Sequence, residues 1–359
     1  MSPAVNAFRK YITLPRRAVR KVMGIARNAV GPKPPVQVTA ASQSPIVLAP
    51  SMKAFASGSA AVESLPDLIY VEMAMACNFG CKMCPVPESR KLMDGRVPAI
   101  MKPDTFALVL NSISDRRRHV WLTQLGEPML NKHLTDFVRA TKSYGHHVGF
   151  TTNGSLMTEQ KARDLLAAGV DHVVFSFDGA TKETFEKIRI GGNFDEVVAN
   201  IRGFAALNQQ LRSPENRCTI QVDMIVSNLT EPEVDDFQAM WKDIAVTQVV
   251  PLDDWAGQLD LPSDFGTPRT SREEIKRYAC DLLWNTTYVS AEGNAMMCCH
   301  DYKQRSKLPN VHDKPLEQIW RDEVGLERVK QIAGDFSSVS CAGCTAWKTR
   351  PRPDAVTGA

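Results

Sequence analysis

The sequence predicts an α/β fold in which parallel strands alternate with helices in a partial (β/α)6 TIM-like barrel. Helical patterns such as residues 158–168 separate six apolar strand patterns, at 68–75, 119–124, 147–152, 172–178, 219–227 and 246–251. These units span roughly 185 residues, too few for a closed eight-unit barrel of about 250 residues. Polar and glycine-containing segments follow the carboxyl ends of the strands, where such sheets bind ligands.

The first predicted strand leads into three closely spaced cysteines. Cys77, Cys81 and Cys84 form a CxxxCxxC pattern directly after residues 68–75. Three thiolates hold three irons of a [4Fe-4S] cluster and leave the fourth iron open to a small molecule, unlike a four-cysteine electron-transfer site. Zinc is the alternative, but a structural zinc site requires four ligands, and no further Cys or His follows nearby.

This pattern resembles that of the radical S-adenosylmethionine (SAM) superfamily, and the end of the second strand agrees with it. Gly126 and Glu127 resemble the last two residues of the family's Gly-Gly-Glu segment, with Leu125 in place of the first glycine. In the family, this segment binds the SAM amino group. Met83 stands where the family often has an aromatic residue. The resemblance implies a barrel that binds SAM at the open iron of the cluster.

The ends of the later strands extend the resemblance. Asn153 follows the third strand, and Ser176 and Asp178 end the fourth, where the family contacts the SAM ribose or carboxylate. Arg189 is predicted to pair with the SAM carboxylate, with a solvated arginine near a helix end as the alternative. After the fifth strand, Asn228 and Glu231 lie where the family often contacts adenine, although such residues also cap helices.

A second group of cysteines follows the barrel and resembles the shortened SPASM domain, or twitch domain, of the same superfamily. The resemblance implies an auxiliary [4Fe-4S] cluster, and a four-cysteine zinc ribbon is the alternative. Cys299 is interpreted as a neighbour of the ligands, and His300 and Asp301 lie beside them. The predicted ligands are Cys280, Cys298, Cys341 and Cys344.

These segments predict five regions in the chain of 359 residues. Cys218, at the start of a strand, is interpreted as a buried apolar residue. The regions are a basic, poorly ordered N-terminal arm and linker (1–64), the radical SAM barrel (65–252), a linker (253–279), the auxiliary domain (280–347) and a C-terminal tail (348–359).

The N-terminal arm differs from the rest of the chain in charge. Its first 62 residues contain nine Lys and Arg and no Asp or Glu, so the remainder is acidic although the whole chain carries a net charge of +3. A solvated arm is favoured over a weak contact with a membrane surface or an acidic partner, and an organellar transit peptide shares this composition. Nucleic-acid binding is disfavoured because the catalytic part is acidic and has no recognised reader motif.

Cysteine usage indicates the compartment. The sequence shows no signal peptide and no apolar run of ~20 residues, so we interpret the nine cysteines as cluster ligands and buried residues rather than disulfides. Oxygen-sensitive clusters imply a reducing cytoplasm. The resemblance also implies a reductant such as flavodoxin or ferredoxin as a partner.

The resemblance implies a radical oxidoreductase. A reduced cluster on the first three cysteines would cleave SAM to a 5′-deoxyadenosyl radical that takes hydrogen from the substrate, and the saturated auxiliary cluster would accept the second electron. Dehydrogenation of a small polyhydroxylated or amino-substituted molecule is favoured. The alternatives are a peptide maturase that forms a thioether, a crosslink or an epimerised residue, and a non-catalytic electron carrier. No general acid or base is assigned.

Overall fold

The computed structural model describes residues 50–87, 97–266 and 276–356. Within them, eight strands form one sheet, and the six strands predicted for the barrel are all present. The strands are β1 (Leu68–Val71), β2 (His119–Trp121), β3 (His147–Thr152), β4 (His172–Ser176), β5 (Thr219–Val226), β6 (Val246–Pro251), β7 (Thr286–Val289) and β8 (Ala295–Met296).

The sheet is open, as a partial barrel requires. Its strand order is β6-β5-β4-β3-β2-β1-β7-β8, and neighbouring strands from β6 to β7 all run parallel. The turn after β7 returns the chain as β8, which pairs antiparallel with it. Tyr70 of β1 stands opposite Tyr288 of β7, so the hairpin that precedes Cys298 continues the barrel sheet. This pairing brings the second cysteine group to the edge of the barrel.

Helices connect the parallel strands, and the sequence defines their ends. Thr158 caps the helix Glu159–Ala168 by accepting a hydrogen bond from the Lys161 amide, and Gly169 ends this helix with φ of +97°. Within the described residues the helices are α1 (Pro50–Ala56), α2 (Pro103–Ser112), α3 (Leu134–Ser143), α4 (Glu159–Ala168), α5 (Lys182–Ile188), α6 (Phe194–Leu211), α7 (Val234–Trp241), α8 (Leu282–Asn285) and α9 (Leu316–Ile332).

The alternation of side chains along the strands separates the core from the site. In β5, Ile220, Val222 and Met224 are buried in the apolar core with residues of the helices. The intervening residues, among them Gln221 and Asp223, belong to the opposite, inner face of the sheet. The barrel therefore presents polar side chains on its inner face.

Two predictions for single segments have outcomes in the described residues. Cys218 is buried in the core, as predicted, with its amide donating to Asn208 Oδ1. α1 lies within the segment predicted as arm and linker, and its Phe55 packs on Trp284 with ring centroids 5.2 Å apart. Residues 1–49 of the predicted arm, residues 267–275 of the predicted linker and residues 357–359 of the predicted tail lie outside the described residues.

Candidate active site

A cleft of about 320 Å³ lies at the carboxyl ends of the barrel strands. Its wall combines the three-cysteine loop with side chains from the inner face of six strands and the segment after β6. The predicted site residues that line it are Cys77, Cys81, Cys84, Gly126, Glu127, Asn153, Ser176 and Arg189. Residues that sequence reasoning did not assign include Tyr70, Trp121, Thr123, Gln124, Thr151 and Asp253.

The three-cysteine loop is held by backbone and amide contacts. The Phe79 amide donates to Cys77 Sγ at 3.4 Å, and Asn153 Nδ2 lies 3.7 Å from the same sulfur. Burial, together with the nearby charges of Cys81 and Cys77, raises the pKa of Cys84 to about 12. The three thiols lie in the same desolvated wall, and as thiolates they would repel one another. Binding to iron would compensate this negative charge.

Arg189 faces this loop from the end of α5. It is only 9% exposed, which excludes the solvated alternative, and its Nε donates to Asp178 Oδ2 at 2.7 Å. Its Nη1 lies 3.8 Å from Cys81 Sγ. Burial opposes the charge, but Asp178 and then Cys81 raise the pKa of Arg189 on balance. The guanidinium therefore places a fixed positive charge beside the cysteine loop.

Asp178 and Ser176 have different positions although both come from the end of β4. Ser176 lines the cleft. Asp178 is buried beneath it, with one carboxylate oxygen accepting from Arg189 and the other from the Ile225 amide at 2.7 Å. Asp178 thus orients Arg189, and its own contact with SAM stays a prediction.

Glu127 is buried in the turn that follows β2. Its Oε1 accepts from the Met129 amide and the Thr152 hydroxyl, and its Oε2 accepts from the Asn153 amide at 2.8 Å. Burial raises the pKa of Glu127, although these donors oppose the shift. Because both oxygens have protein partners, Glu127 joins the turn after β2 to the end of β3.

Gly126 allows this turn to approach the cysteine loop. It has φ of +65°, and a Cβ built there would lie 2.1 Å from the Ala74 carbonyl oxygen and 2.5 Å from that of Ala76. The following amide, of Glu127, donates to the Ala76 oxygen at 2.7 Å. Only glycine fits this contact, which explains why the sequence places it here.

The residues weighed for adenine lie outside the cleft wall. Asn228 packs against Gly266, and its amide donates to the Phe265 carbonyl. Glu231 begins the short 3-10 helix Glu231–Glu233 and is exposed. The N-cap of this helix is Thr230, and a contact of either residue with adenine stays a prediction.

The auxiliary cysteines come from three separate segments that fold together. The thiols of Cys280, Cys341 and Cys344 each interact electrostatically with that of Cys298. Gln331 of α9 ties two of the segments, since its Oε1 accepts from the Cys280 amide at 2.9 Å and its Nε2 lies 3.3 Å from Cys341 Sγ. These interactions link the four predicted thiols, whose role as cluster ligands stays a prediction.

Cys299 lies on the side of this group that faces the cleft. Its sulfur is 3.3 Å from His300 Nδ1. Burial opposes the thiolate, but hydrogen bonds with His300 and Tyr288 lower the pKa of Cys299 on balance. Its carbonyl accepts from Gln124 Nε2, a cleft residue, at 2.9 Å. Cys299 thus connects the auxiliary group to the cleft wall, and Cys298 remains the predicted ligand.

The segment after β6 closes the same side of the cleft. Trp255 and Ala256 have φ of 54° and 64°, a strained conformation for residues with a side chain. The Trp255 indole donates to the Met83 carbonyl of the cysteine loop at 3.2 Å. Asp253, two residues earlier, lies 2.8 Å from His300 Nε2. This short segment therefore touches both cysteine groups.

Two family models match the chain in the order that this architecture suggests. The radical SAM superfamily matches residues 71–211, and the iron-sulfur cluster-binding SPASM domain matches residues 280–345. The chain thus carries a radical SAM domain followed by a C-terminal SPASM domain. These families bind [4Fe-4S] clusters and SAM, and the desolvated three-thiol loop and the four-thiol group have the donors that such clusters require.

Curated relatives match part of their length only. The chain is 30% identical to the GTP 3′,8-cyclase of Desulforamulus reducens over 184 residues, which are 50% of this chain and 53% of that enzyme. It is 29% identical to the AdoMet-dependent heme synthase of Methanosarcina barkeri over 143 residues, 39% of this chain and 40% of the relative. The chain thus spans about half or less of the length of these relatives.

Solved structures share the fold over most of the chain. BtrN in complex with AdoMet and 2-DOIA has a TM-score of 0.53 at 18% identity, covering 79% of this chain and 93% of that one. Streptococcus suis SuiB bound to S-adenosylmethionine has a TM-score of 0.59 at 13% identity, covering 81% and 76%. The anSMEcpe complex with AdoMet and the Cp18Cys peptide has a TM-score of 0.54 at 16% identity, covering 73% and 82%.

Among the helices of the described residues, none combines the length and the apolar character needed to cross a bilayer.

Proposed function

We propose that this protein is a radical SAM oxidoreductase that dehydrogenates a small polyhydroxylated or amino-substituted molecule. The observation that carries the proposal is the contact between the auxiliary cysteine group and the wall of the cleft. Gln124 lines the cleft and donates to the Cys299 carbonyl, and Tyr70 of the same wall stacks on Tyr288 with ring centroids 4.8 Å apart. An electron acceptor next to the substrate suits net oxidation.

The bound groups supply the reactive species. When bound, the two clusters and SAM supply a one-electron reductant, a carbon radical that takes a hydrogen atom, and an acceptor for the second electron. The chain's own residues position these groups. Arg189 offers a guanidinium toward the cysteine loop, Asn153 bridges that loop to β3, and Ser176 presents a hydroxyl from β4.

The substrate end of the cleft has aromatic walls. Trp121 and Trp255 line it together with Tyr70, and Trp255 closes it by its hydrogen bond to Met83. Flat apolar walls exclude water from a carbon radical and accept the C–H faces of a ring compound, while Thr151 and Asp253 offer hydrogen-bond partners to hydroxyl or amino groups. This chemistry supports a small polar substrate.

A peptide substrate is the second candidate. Among the fold relatives, SuiB is in complex with the precursor peptide SuiA and anSMEcpe with the Cp18Cys peptide, whereas BtrN is in complex with 2-DOIA. BtrN is matched over 93% of its length, more than the 74% to 76% of the SuiB structures. This coverage favours a small-molecule substrate.

The proposal also includes a cytoplasmic location and a reductant of the flavodoxin or ferredoxin type.

The test measures formation of 5′-deoxyadenosine by the anaerobically reconstituted protein with SAM and reductant. Polar-metabolite and peptide fractions of the source cell are added separately. We expect the metabolite fraction alone to accelerate cleavage and to yield a product two hydrogens lighter than its substrate. Acceleration by peptides alone would replace this proposal with the maturase.

Auxiliary-site variants test the role of the second cluster. Cys298→Ala is expected to retain SAM cleavage and lose product formation. Cys218→Ala, which changes a buried cysteine outside both groups, is expected to retain both. Product formation by Cys298→Ala at the wild-type rate would contradict the acceptor role.

A further inference from the structure

Arg350 is half-buried and forms an ion pair with the buried Asp281 next to the auxiliary cysteines. Its Nε and Nη2 donate to the two carboxylate oxygens of Asp281 at 2.7 and 2.6 Å. Asp281 is 1% exposed and follows Cys280 directly in the chain. The Tyr278 hydroxyl donates to the Arg350 carbonyl at 2.8 Å and fixes the backbone as well. The guanidinium is therefore held in one place by a bidentate contact.

The ion pair joins two segments that carry predicted ligands of the auxiliary cluster. Asp281 follows Cys280 directly, and Arg350 lies six residues after Cys344. The pair therefore places a carboxylate and a guanidinium, in fixed relative positions, next to the segments that would hold the cluster.

A cluster held by four thiolates is anionic, and its reduction adds a further negative charge. A nearby cation stabilises the reduced form and raises the reduction potential, and a nearby anion lowers it. Arginine stays charged at every pH at which the protein is folded, so this contribution is permanent. The direction of the effect follows from the sign of the charge alone.

We propose that Arg350 raises the reduction potential of the auxiliary cluster and thereby makes it an acceptor for the substrate's second electron, while Asp281 positions the guanidinium. The inference rests on the proposed function, because the cluster accepts an electron from the substrate only if the enzyme oxidises that substrate. The reduction potential itself is measured without substrate. Arg350 lies beyond residues 280–345, the part of the chain that the SPASM family matches. It is therefore a property of this chain's C-terminal segment.

The experiment follows the auxiliary cluster alone. The full-length Cys77→Ala/Cys81→Ala/Cys84→Ala variant is reconstituted with iron and sulfide, and the midpoint potential is measured by electron paramagnetic resonance during a redox titration. Four versions carry Arg350→Gln, Arg350→Lys, Asp281→Asn or Lys348→Gln in addition. Lys348 is the matched control, since it belongs to the same segment and carries the same charge.

Arg350→Gln is expected to lower the equilibrium constant for reduction about tenfold, which is 59 mV for a one-electron couple. Asp281→Asn is expected to raise the potential, and Arg350→Lys to keep it near the parent value. Lys348→Gln is expected to shift it less than Arg350→Gln. If Arg350 and Asp281 had only a structural role, their substitutions would not shift the midpoint potential in opposite directions.

Two results would overturn the inference: a shift for Arg350→Gln no larger than for Lys348→Gln, or shifts of the same sign for Arg350→Gln and Asp281→Asn. Because Arg350→Gln leaves a buried carboxylate unpaired, the Arg350→Gln/Asp281→Asn double variant keeps the test valid if the single variant fails to fold. Its potential is expected between those of the single variants, and a value below that of Arg350→Gln would also overturn the inference.

Failure of the proposed function has a different signature. If the charges shift the potential as stated but Cys298→Ala still forms product at the wild-type rate, the tuning holds and the acceptor role falls. If the potential does not respond while Cys298→Ala uncouples cleavage from product, the acceptor role holds and Arg350 has no part in it.

Discussion

The two cysteine groups of this protein are built in different ways. Cys77, Cys81 and Cys84 come from one loop after β1, and their environment is completed by Arg189 and Asn153 across the cleft. The auxiliary cysteines come from segments up to 64 residues apart, from 280 to 344, and meet only because the β7–β8 hairpin and α9 fold together. The first group lines a cleft at the carboxyl ends of the strands, and the second lies beside it. Local spacing encodes the first group, and tertiary packing assembles the second.

The largest expected effect tests whether the two groups bind clusters independently. Cys81→Ala removes one of three local ligands and is expected to abolish SAM cleavage, while the auxiliary cluster persists and the iron content falls from about eight to about four atoms per chain. Iron analysis and 5′-deoxyadenosine formation measure both effects. Cys218→Ala serves as the control, and loss of all iron from Cys81→Ala would show that the two sites assemble together.

The second prediction concerns the turn that supports the open site. Gly126→Ala places a methyl group within 2.5 Å of two carbonyl oxygens at a left-handed position, so the turn must move. We expect the variant to lose about 3 kcal/mol or more of unfolding free energy. We also expect it to lose SAM binding. Gly145→Ala is the matched control, because it has φ of +79° and open space around it.

Denaturant unfolding compares the two glycine variants. Gly145→Ala is expected to lose only about 1–2 kcal/mol, the contribution of the left-handed conformation. Equal losses in both variants would mean that the close approach of Gly126 to the cysteine loop does not matter.

The third prediction uses a carboxyl group that contacts both regions. Glu72 is buried at the end of β1 and accepts from the Ala291 amide of the auxiliary domain at 3.1 Å and from the Leu125 amide of the turn after β2. Burial raises the pKa of Glu72 to about 7 from 4.5. The folded state therefore holds a proton that the unfolded state releases between these values.

Stability is thus lost as pH rises from 4.5 to 7, by about 3 kcal/mol for this group. Glu72→Gln removes the ionisation, so we expect the variant to gain stability relative to the wild type between pH 5 and pH 8. Unfolding free energies at both pH values measure this gain. Glu63→Gln, at an exposed position, is expected to show none, and a pH-independent difference for Glu72→Gln would contradict the raised pKa.

The smallest effect concerns the cation beside the open site. Arg189→Lys keeps the charge but loses the planar contact with Asp178 and the direction toward Cys81, so we expect the SAM dissociation constant to rise about tenfold. Equilibrium binding of SAM to the reconstituted protein measures it. Arg163→Lys, in an exposed pair with Glu159 on α4, is the control, and an unchanged constant for Arg189→Lys would remove Arg189 from the SAM site.

Local patterns predicted much of the fold and the cysteine sites. The six barrel strands follow from apolar segments at the spacing of βα units, and the three-cysteine loop follows from its position after the first of them. Cys298 is predicted over Cys299 from its place in the domain pattern, and this choice stays a prediction. The separate role of Asp178, which supports Arg189 from below the cleft, was not predictable because residues 176 and 178 follow the same strand end.

The sequence by itself determined the order of the barrel strands and the positions of the cysteines predicted to hold clusters, because strand alternation, glycine turns and cysteine spacing act over a few residues and are visible in one chain. The tertiary structure alone decided how the two sites meet. Pairing of β7 with β1 aligns Tyr288 with Tyr70, and the C-terminal segment returns to bring Arg350 to Asp281 beside Cys280. Such contacts join residues about 70 to 220 positions apart, and their free energy depends on burial and on the whole packed sheet, which no local pattern records.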